Sequence, residues 1–142
     1  MSIKQLFAKK WAKRVVNSTN KWAQNPIATQ EKVLKMLLQK AKKTAFGQDH
    51  GFAQIENYED FAKRVPIRDY EGLRPYVDRV VAGEADILWP GKPRYFSKTS
   101  GTTSGVKYIP ISKESMPTHI KTAQNALFHY CLLYTSDAAD DA

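Results

Sequence analysis

Apolar residues recur every four positions at the start of the chain, at Ile3, Phe7, Trp11 and Val15, with Leu6 beside them. That spacing collects them on one side of a helix and predicts a helix over residues 1–24. Asn25-Pro26 marks its end, because proline disfavours helical geometry in the residue before it and suits a first helical turn itself. A second helix is expected from Pro26 or Thr29 to Ala45, with Val33, Leu34, Leu37, Leu38 and Ala41 facing inward and Gly47 punctuating its end. Asn57 has the short polar side chain of an N-cap and predicts a helix through Phe61 to about Arg64, ended by Pro66. From Asp69 to Ala82 the set Tyr70, Leu73, Tyr76, Val77 and Val80 again follows helical spacing, with a bend allowed at Pro75 and a stop at Gly83.

Beyond Gly83 the pattern changes. Ile87-Leu88-Trp89, Tyr95-Phe96 and Lys107–Ile111 are short β-prone runs and predict strands. Ser112 is placed to cap a last helix, SKESMPTHIKTAQNALFHY. No internal repeat or low-complexity linker appears. The expected fold class is α/β, a helix-rich start followed by short strands around a loop.

Composition then sets bounds. A chain of 142 residues with 42% apolar content suits one globular domain. No stretch is long and apolar enough to span a bilayer. The lysines in MSIKQLFAKK argue against a secretory signal, although a transit peptide would share its basic, acid-poor character.

The last twelve residues, CLLYTSDAADDA, do not look like protein sequence: CLLYTSDAAD resembles a translation of a transposon-end sequencing adapter. Residues 131–142 are therefore expected to be a non-native tail, and residues 1–130 the natural part. That part, with 22 basic and eleven acidic residues, carries +11 where the whole chain carries +8. It has no cysteine, which excludes disulfides, thiolate metal sites and cysteine nucleophiles from it and is compatible with a cytoplasmic location.

The first 43 residues hold eleven Lys/Arg and one acid, Glu31. Nucleic acid or an anionic membrane could use such a surface, but the charges are scattered around both helices without aromatics arranged for base stacking. A solvated basic face is the expectation. His50, His119 and His129 lack metal-ligand spacing, so no metal site is expected among them. Glu56, Glu59, Asp60, Asp69 and Glu71 lie near helix starts, where capping and dipole compensation explain them. No histidine–acid pair can be assigned to Ser115 as a hydrolase triad.

The stretch Thr99, Ser100, Gly101, Thr102, Thr103, Ser104, Gly105 has no side chain that could build a core. Such runs are commonly linkers or surface turns. Here the run lies between two expected strands and ends in Gly105-Val106-Lys107, with a cation at its mouth. A phosphate cradle needs convergent backbone N–H groups, short hydroxyls and a compact positive charge. Gly101 and Gly105 permit unusual backbone angles, Thr99, Ser100, Thr102 and Thr103 supply hydroxyls, and Lys107 supplies the charge. Each hydrogen bond to a charged oxygen is worth roughly 1.5–3 kcal/mol, so four or five could dominate nucleotide binding. Neither a Walker A motif nor GxGxxG is present. The residues support an anion-binding loop, with a nucleoside triphosphate the expected ligand and a mere connector still open.

TSGTTSGVKYIP resembles the first signature of the adenylate-forming enzymes, the superfamily of acyl-CoA synthetases and luciferases. Upstream, AKKTAFGQDHGF and ENYEDFAKRVPIRDYEGLRPYVDRVVAGEADILWPGKPRYFSKTSGTT are similar to the amino-terminal part of the auxin-responsive Gretchen Hagen family, the acyl-acid amido synthetases. The resemblance covers roughly Thr29 to Tyr130. It implies the amino-terminal portion of an adenylation domain, truncated, from an ATP-dependent ligase that adenylates a carboxylic acid and passes the acyl group to an amine, usually of an amino acid. It gives the phosphate-binding role to Thr99, Ser100, Gly101, Thr102, Thr103 and Gly105, and a catalytic one to Lys107. ATP with Mg2+ is implied, the metal ligand lying outside this chain together with the adenine, ribose and acyl contacts. A monomeric, cytoplasmic parent without a nucleic-acid partner or membrane span is expected, and the present chain alone is expected to be inactive. The alternative is a basic helical binding module whose loop only connects.

Overall fold

The computed structural model describes the backbone of residues 3–99 and 105–140, and the side chains of residues 6–99 and 105–131. The chain divides into two units, residues 1–29 with 116–142, and residues 30–115.

In the first unit lie α1 (Ile3–Ala23) and most of α6 (Ser115–Asp140). Along α1, Ala12 is buried while Val15, Val16 and Thr19 are half-buried, a stripe at helical spacing. The Thr19 hydroxyl donates to the Val15 carbonyl (3.1 Å) and lies 3.1 Å from His129 Nε2. Leu6, Phe7 and Trp11, three of the five residues of the predicted sticky face, are exposed.

The second unit contains the inner end of α2 (Pro26–Ala41), α3 (Ala45–Asp49), a single 3-10 turn at Phe52–Gln54, α4 (Tyr58–Arg64), α5 (Tyr70–Val81) and a hairpin of β1 (Tyr95–Thr99) and β2 (Lys107–Ile111). Leu38, Ala41, Ile55, Val77, Val80 and Ile87 form its buried apolar centre.

The caps follow the sequence closely. Asn57 accepts from the Asp60 N–H (2.9 Å), Asp69 from the Gly72 N–H (2.9 Å) and Ser112 from the Ser115 N–H (3.0 Å), so each helix start has a donor satisfied. At the end of α5, Gly83 takes φ +91°. There Glu84 N–H bonds the Arg79 carbonyl and Gly83 N–H the Val80 carbonyl, both at 3.0 Å. That pair of bonds is a Schellman stop, and it needs a left-handed residue at Gly83.

Three expectations are corrected. Val33 and Leu37, expected to face inward on α2, are exposed, and only Leu38 and Ala41 of that set are buried. The second helix ends at Ala41 rather than Ala45, and Gly47 lies inside α3 instead of closing α2. The cause is Thr44, almost fully buried: its hydroxyl donates to the Ala41 carbonyl (2.7 Å) and accepts from the Gly47 N–H (3.0 Å), ending one helix and capping the next.

Ile87-Leu88-Trp89 is not a strand but a bend. Its polar backbone is used elsewhere: the Asp86 carbonyl accepts from Ala45 N–H (2.8 Å) and the Ile87 carbonyl from Phe46 N–H (3.0 Å). These are two of the N–H groups that the first turn of α3 leaves open. Asp86 holds the bend at φ +59°, its carboxylate accepting from Gly91 N–H (2.7 Å).

Beside α3, the Phe46 ring stacks on His50 at 4.1 Å, and Phe52 and Tyr76 meet Phe46 edge-on. His50 Nδ1 lies 2.7 Å from the Phe46 carbonyl, so this buried histidine is a satisfied core residue. Tyr76 donates to the Asp49 carboxylate (2.7 Å), and burial, then that bond, push its phenol above the ordinary value of 10.0. The folded state thus favours the protonated phenol, and this contribution is lost as pH rises from 10 through the raised pKa. Tyr76→Phe should cost ~1 kcal/mol at neutral pH. In paired melting curves, its deficit against the unsubstituted protein should narrow above pH 10.

Candidate functional site

The hairpin fixes the two ends of the glycine-rich loop against each other. Its antiparallel register runs from Tyr95↔Ile111 to Thr99↔Lys107, so Thr99 and Lys107 form the last pair before the loop and leave it side by side. Gly105 takes φ +78°, and a Cβ there would meet nothing within 4 Å. The glycine is therefore needed for its backbone angle and faces open space, as a residue lending its N–H to a ligand would. Thr99 is exposed and Lys107 half-buried. Ser100, Gly101, Thr102 and Thr103 lie outside the described residues.

One turn of α5 stands against this mouth. Lys107 Nζ lies 5.5 Å from the centre of the Tyr70 ring, and the Arg74 guanidinium 5.3 Å from it. The Tyr70 hydroxyl accepts from the Tyr108 N–H at 2.9 Å and reaches the Tyr108 carbonyl at 3.4 Å. Arg74 grips Glu71 through two bonds of 2.7 and 2.8 Å. That grip holds the Glu71 carboxyl below its ordinary range, with smaller help from the charges of Arg74 and Lys107. Two cations and one already-paired carboxylate make the mouth attractive to anions.

Sequence reasoning placed Tyr70 in an apolar set and Glu71 among helix-start acids, and so missed both as neighbours of the loop. The available signals were the i, i+3 spacing of Glu71 and Arg74 and the hydroxyl of a tyrosine in a helix's first turn, which needs a partner when part-buried.

A separate cavity of about 120 Å3 lies among Val80, Ile87, Trp89, Pro93 and Pro110. It is mainly apolar, with Lys92 the one charged residue of its lining and Trp89 Nε1–H bonded to Glu114 (3.2 Å). Among the described residues, no group of three His, Cys, Asp or Glu could hold a metal ion, and no helix is long and apolar enough to cross a membrane.

Residues 15–138 match the GH3 family N-terminal domain. The chain belongs to the GH3 family. Among curated relatives of this family, the indole-3-acetic acid-amido synthetase GH3.15 of Arabidopsis thaliana is 32% identical over 93 residues, covering 64% of this chain and 16% of the relative. The jasmonoyl–L-amino acid synthetase JAR6 of Nicotiana attenuata is 34% identical over 89 residues, 61% of this chain and 15% of that protein. The 4-substituted benzoates-glutamate ligase GH3.12 of Arabidopsis thaliana reaches 38% over 73 residues, 51% and 12% respectively. The chain thus spans 12–16% of the length of these three relatives. By their names these relatives are an amido synthetase of indole-3-acetic acid, a synthetase of jasmonoyl–L-amino acids and a ligase of 4-substituted benzoates with glutamate, and none favours a basic binding module.

Proposed function

We propose that this chain is the amino-terminal part of an ATP-dependent acyl-acid amido synthetase and that its hairpin loop holds the ATP phosphates. The carrying observation is the Thr99↔Lys107 register, which brings a hydroxyl and an ammonium to one mouth beside a glycine of left-handed geometry. GH3 membership supports the reaction class.

A carboxylate oxygen attacks the α-phosphorus of ATP, the bond to the bridging oxygen breaks, and pyrophosphate leaves. An amine nitrogen then attacks the acyl carbon, loses a proton and expels AMP. In this chain Lys107 offers a compact charge to the triphosphate and the departing pyrophosphate. Thr99, Ser100, Thr102 and Thr103 offer hydroxyl donors, and Gly101 and Gly105 let the backbone approach. Donors set in place beforehand stabilise oxygen charge as it grows. Magnesium enters this reading with ATP, its charge offsetting that of the phosphates; its protein ligands are expected outside this chain. The reading also takes the parent to be monomeric and cytoplasmic, without a nucleic-acid partner.

The test is to incubate the full-length parent with ATP, Mg2+, a panel of carboxylic acids and amino acids, and to follow products by mass spectrometry. An amide with matching AMP and pyrophosphate is expected. Acid-independent ATP consumption, or none, would sink the reading.

We also propose that residues 131–142 are adapter-encoded. They prolong α6 to Asp140 and the family match reaches residue 138, but Leu132, Leu133, Ala138 and Ala139 are good helix formers, and a helix already under way extends through such residues whatever their origin. Deleting them should leave the melting temperature unchanged within ~1 °C, since frayed helix ends contribute little. A clear loss on deletion would show that they pack.

A further inference from the structure

We propose that Tyr70 is a positioning residue that sets Lys107 for its ligand, an inference resting on the phosphate-loop reading above. Three contacts carry it. The first is the tie at the strand edge. Tyr108 directs its N–H away from β1, onto an edge with no further strand among the described residues, and the Tyr70 hydroxyl accepts it at 2.9 Å. Pro110, two residues on, shares that edge and has no N–H to offer there, so Tyr70 secures the edge next to the loop mouth. Because Tyr108 directly follows Lys107, the tie fixes the backbone from which the lysine projects.

The second is the ring itself. Lys107 Nζ rests 5.5 Å from its centre and makes no hydrogen bond among the described residues. A ring face attracts an ammonium without occupying its N–H donors. The lysine is located, yet no described residue takes up its three donors.

The third is the neighbouring carboxylate. Glu71 lies close enough for Lys107 to lower its pKa, and a carboxylate so placed would compete with phosphate. Arg74 engages it through two bonds of 2.7 and 2.8 Å, which satisfy much of its charge. Tyr70, Glu71 and Arg74 lie within the first five residues of α5, and Asp69 caps that turn through Gly72 N–H. The cap therefore holds all three in register.

The experiment uses the full-length parent with Tyr70→Phe, Tyr70→Leu and Lys107→Ala, singly and combined. Tyr70→Leu removes tie and ring and should lower kcat/KM for ATP about tenfold, while Tyr70→Phe keeps the ring and should lose only a few-fold. In the Lys107→Ala background Tyr70→Leu should cause no further loss, because a residue that acts through the lysine has nothing left to position. Independently of activity, hydrogen exchange at the Tyr108 amide should quicken at least about tenfold in Tyr70→Phe and stay unchanged in Lys107→Ala. Losses that multiply in the double variant, or an unchanged Tyr108 exchange rate, would overturn the positioning role alone. Full activity in Lys107→Ala would overturn the phosphate-loop reading and this inference with it.

Discussion

Replacing Lys107 with alanine in the full-length parent should slow adenylate formation by about 10²–10³, or ~3–4 kcal/mol of transition-state stabilisation. The charge of Lys107 is expected to act on phosphates as pyrophosphate departs, when negative charge is greatest. Its side chain is half-buried over a tyrosine ring and belongs to no apolar core, so the fold should survive the change. Ser100→Ala should lose less, since a neutral hydroxyl contributes less than a cation. The measurement is kcat/KM for ATP beside a melting curve. A large kinetic loss at an unchanged melting temperature is the expected combination.

Gly47→Ala should destabilise the protein by about 2–4 kcal/mol, where an alanine inside a helix ordinarily helps. A Cβ at Gly47 would overlap the Ala41 carbonyl oxygen and lie 2.9 Å from its carbon. Both are backbone atoms, which cannot swing aside as a long side chain can. Relief requires the corner between α2 and α3 to open, which would break the Thr44 bonds to Ala41 and Gly47 and add ~1 kcal/mol for the lost cap. Thermal melting checks this. A fall of several degrees is expected, and an increase would contradict the tight crossing of α3 over the end of α2.

Local rules were enough for the caps at Asn57, Asp69 and Ser112, because each bond spans only three residues. The Gly83 stop and the hairpin around the loop were equally readable, from a glycine after a periodic run and from two β-prone flanks. What escaped depends on distant partners. Ile87-Leu88-Trp89 has the composition of a strand, but its hydrogen bonds go to the start of α3, some forty residues earlier. Thr44 resembled one more polar residue after Lys42 and Lys43, and only its burial shows that it ends α2. The candidate site divides the same way: loop and lysine were legible as a contiguous motif, whereas the support from Tyr70 spans 38 residues and follows no spacing rule.

The most direct measurement is acid-dependent exchange of labelled pyrophosphate into ATP by the full-length parent, without amine acceptor. Adenylation is reversible at that stage, so label should enter ATP only when a suitable carboxylic acid is present, and Lys107→Ala should exchange at least about a hundredfold more slowly. If the parent instead yields ADP and phosphate with no exchange, or Lys107→Ala exchanges at the full rate, the hairpin does not serve adenylation.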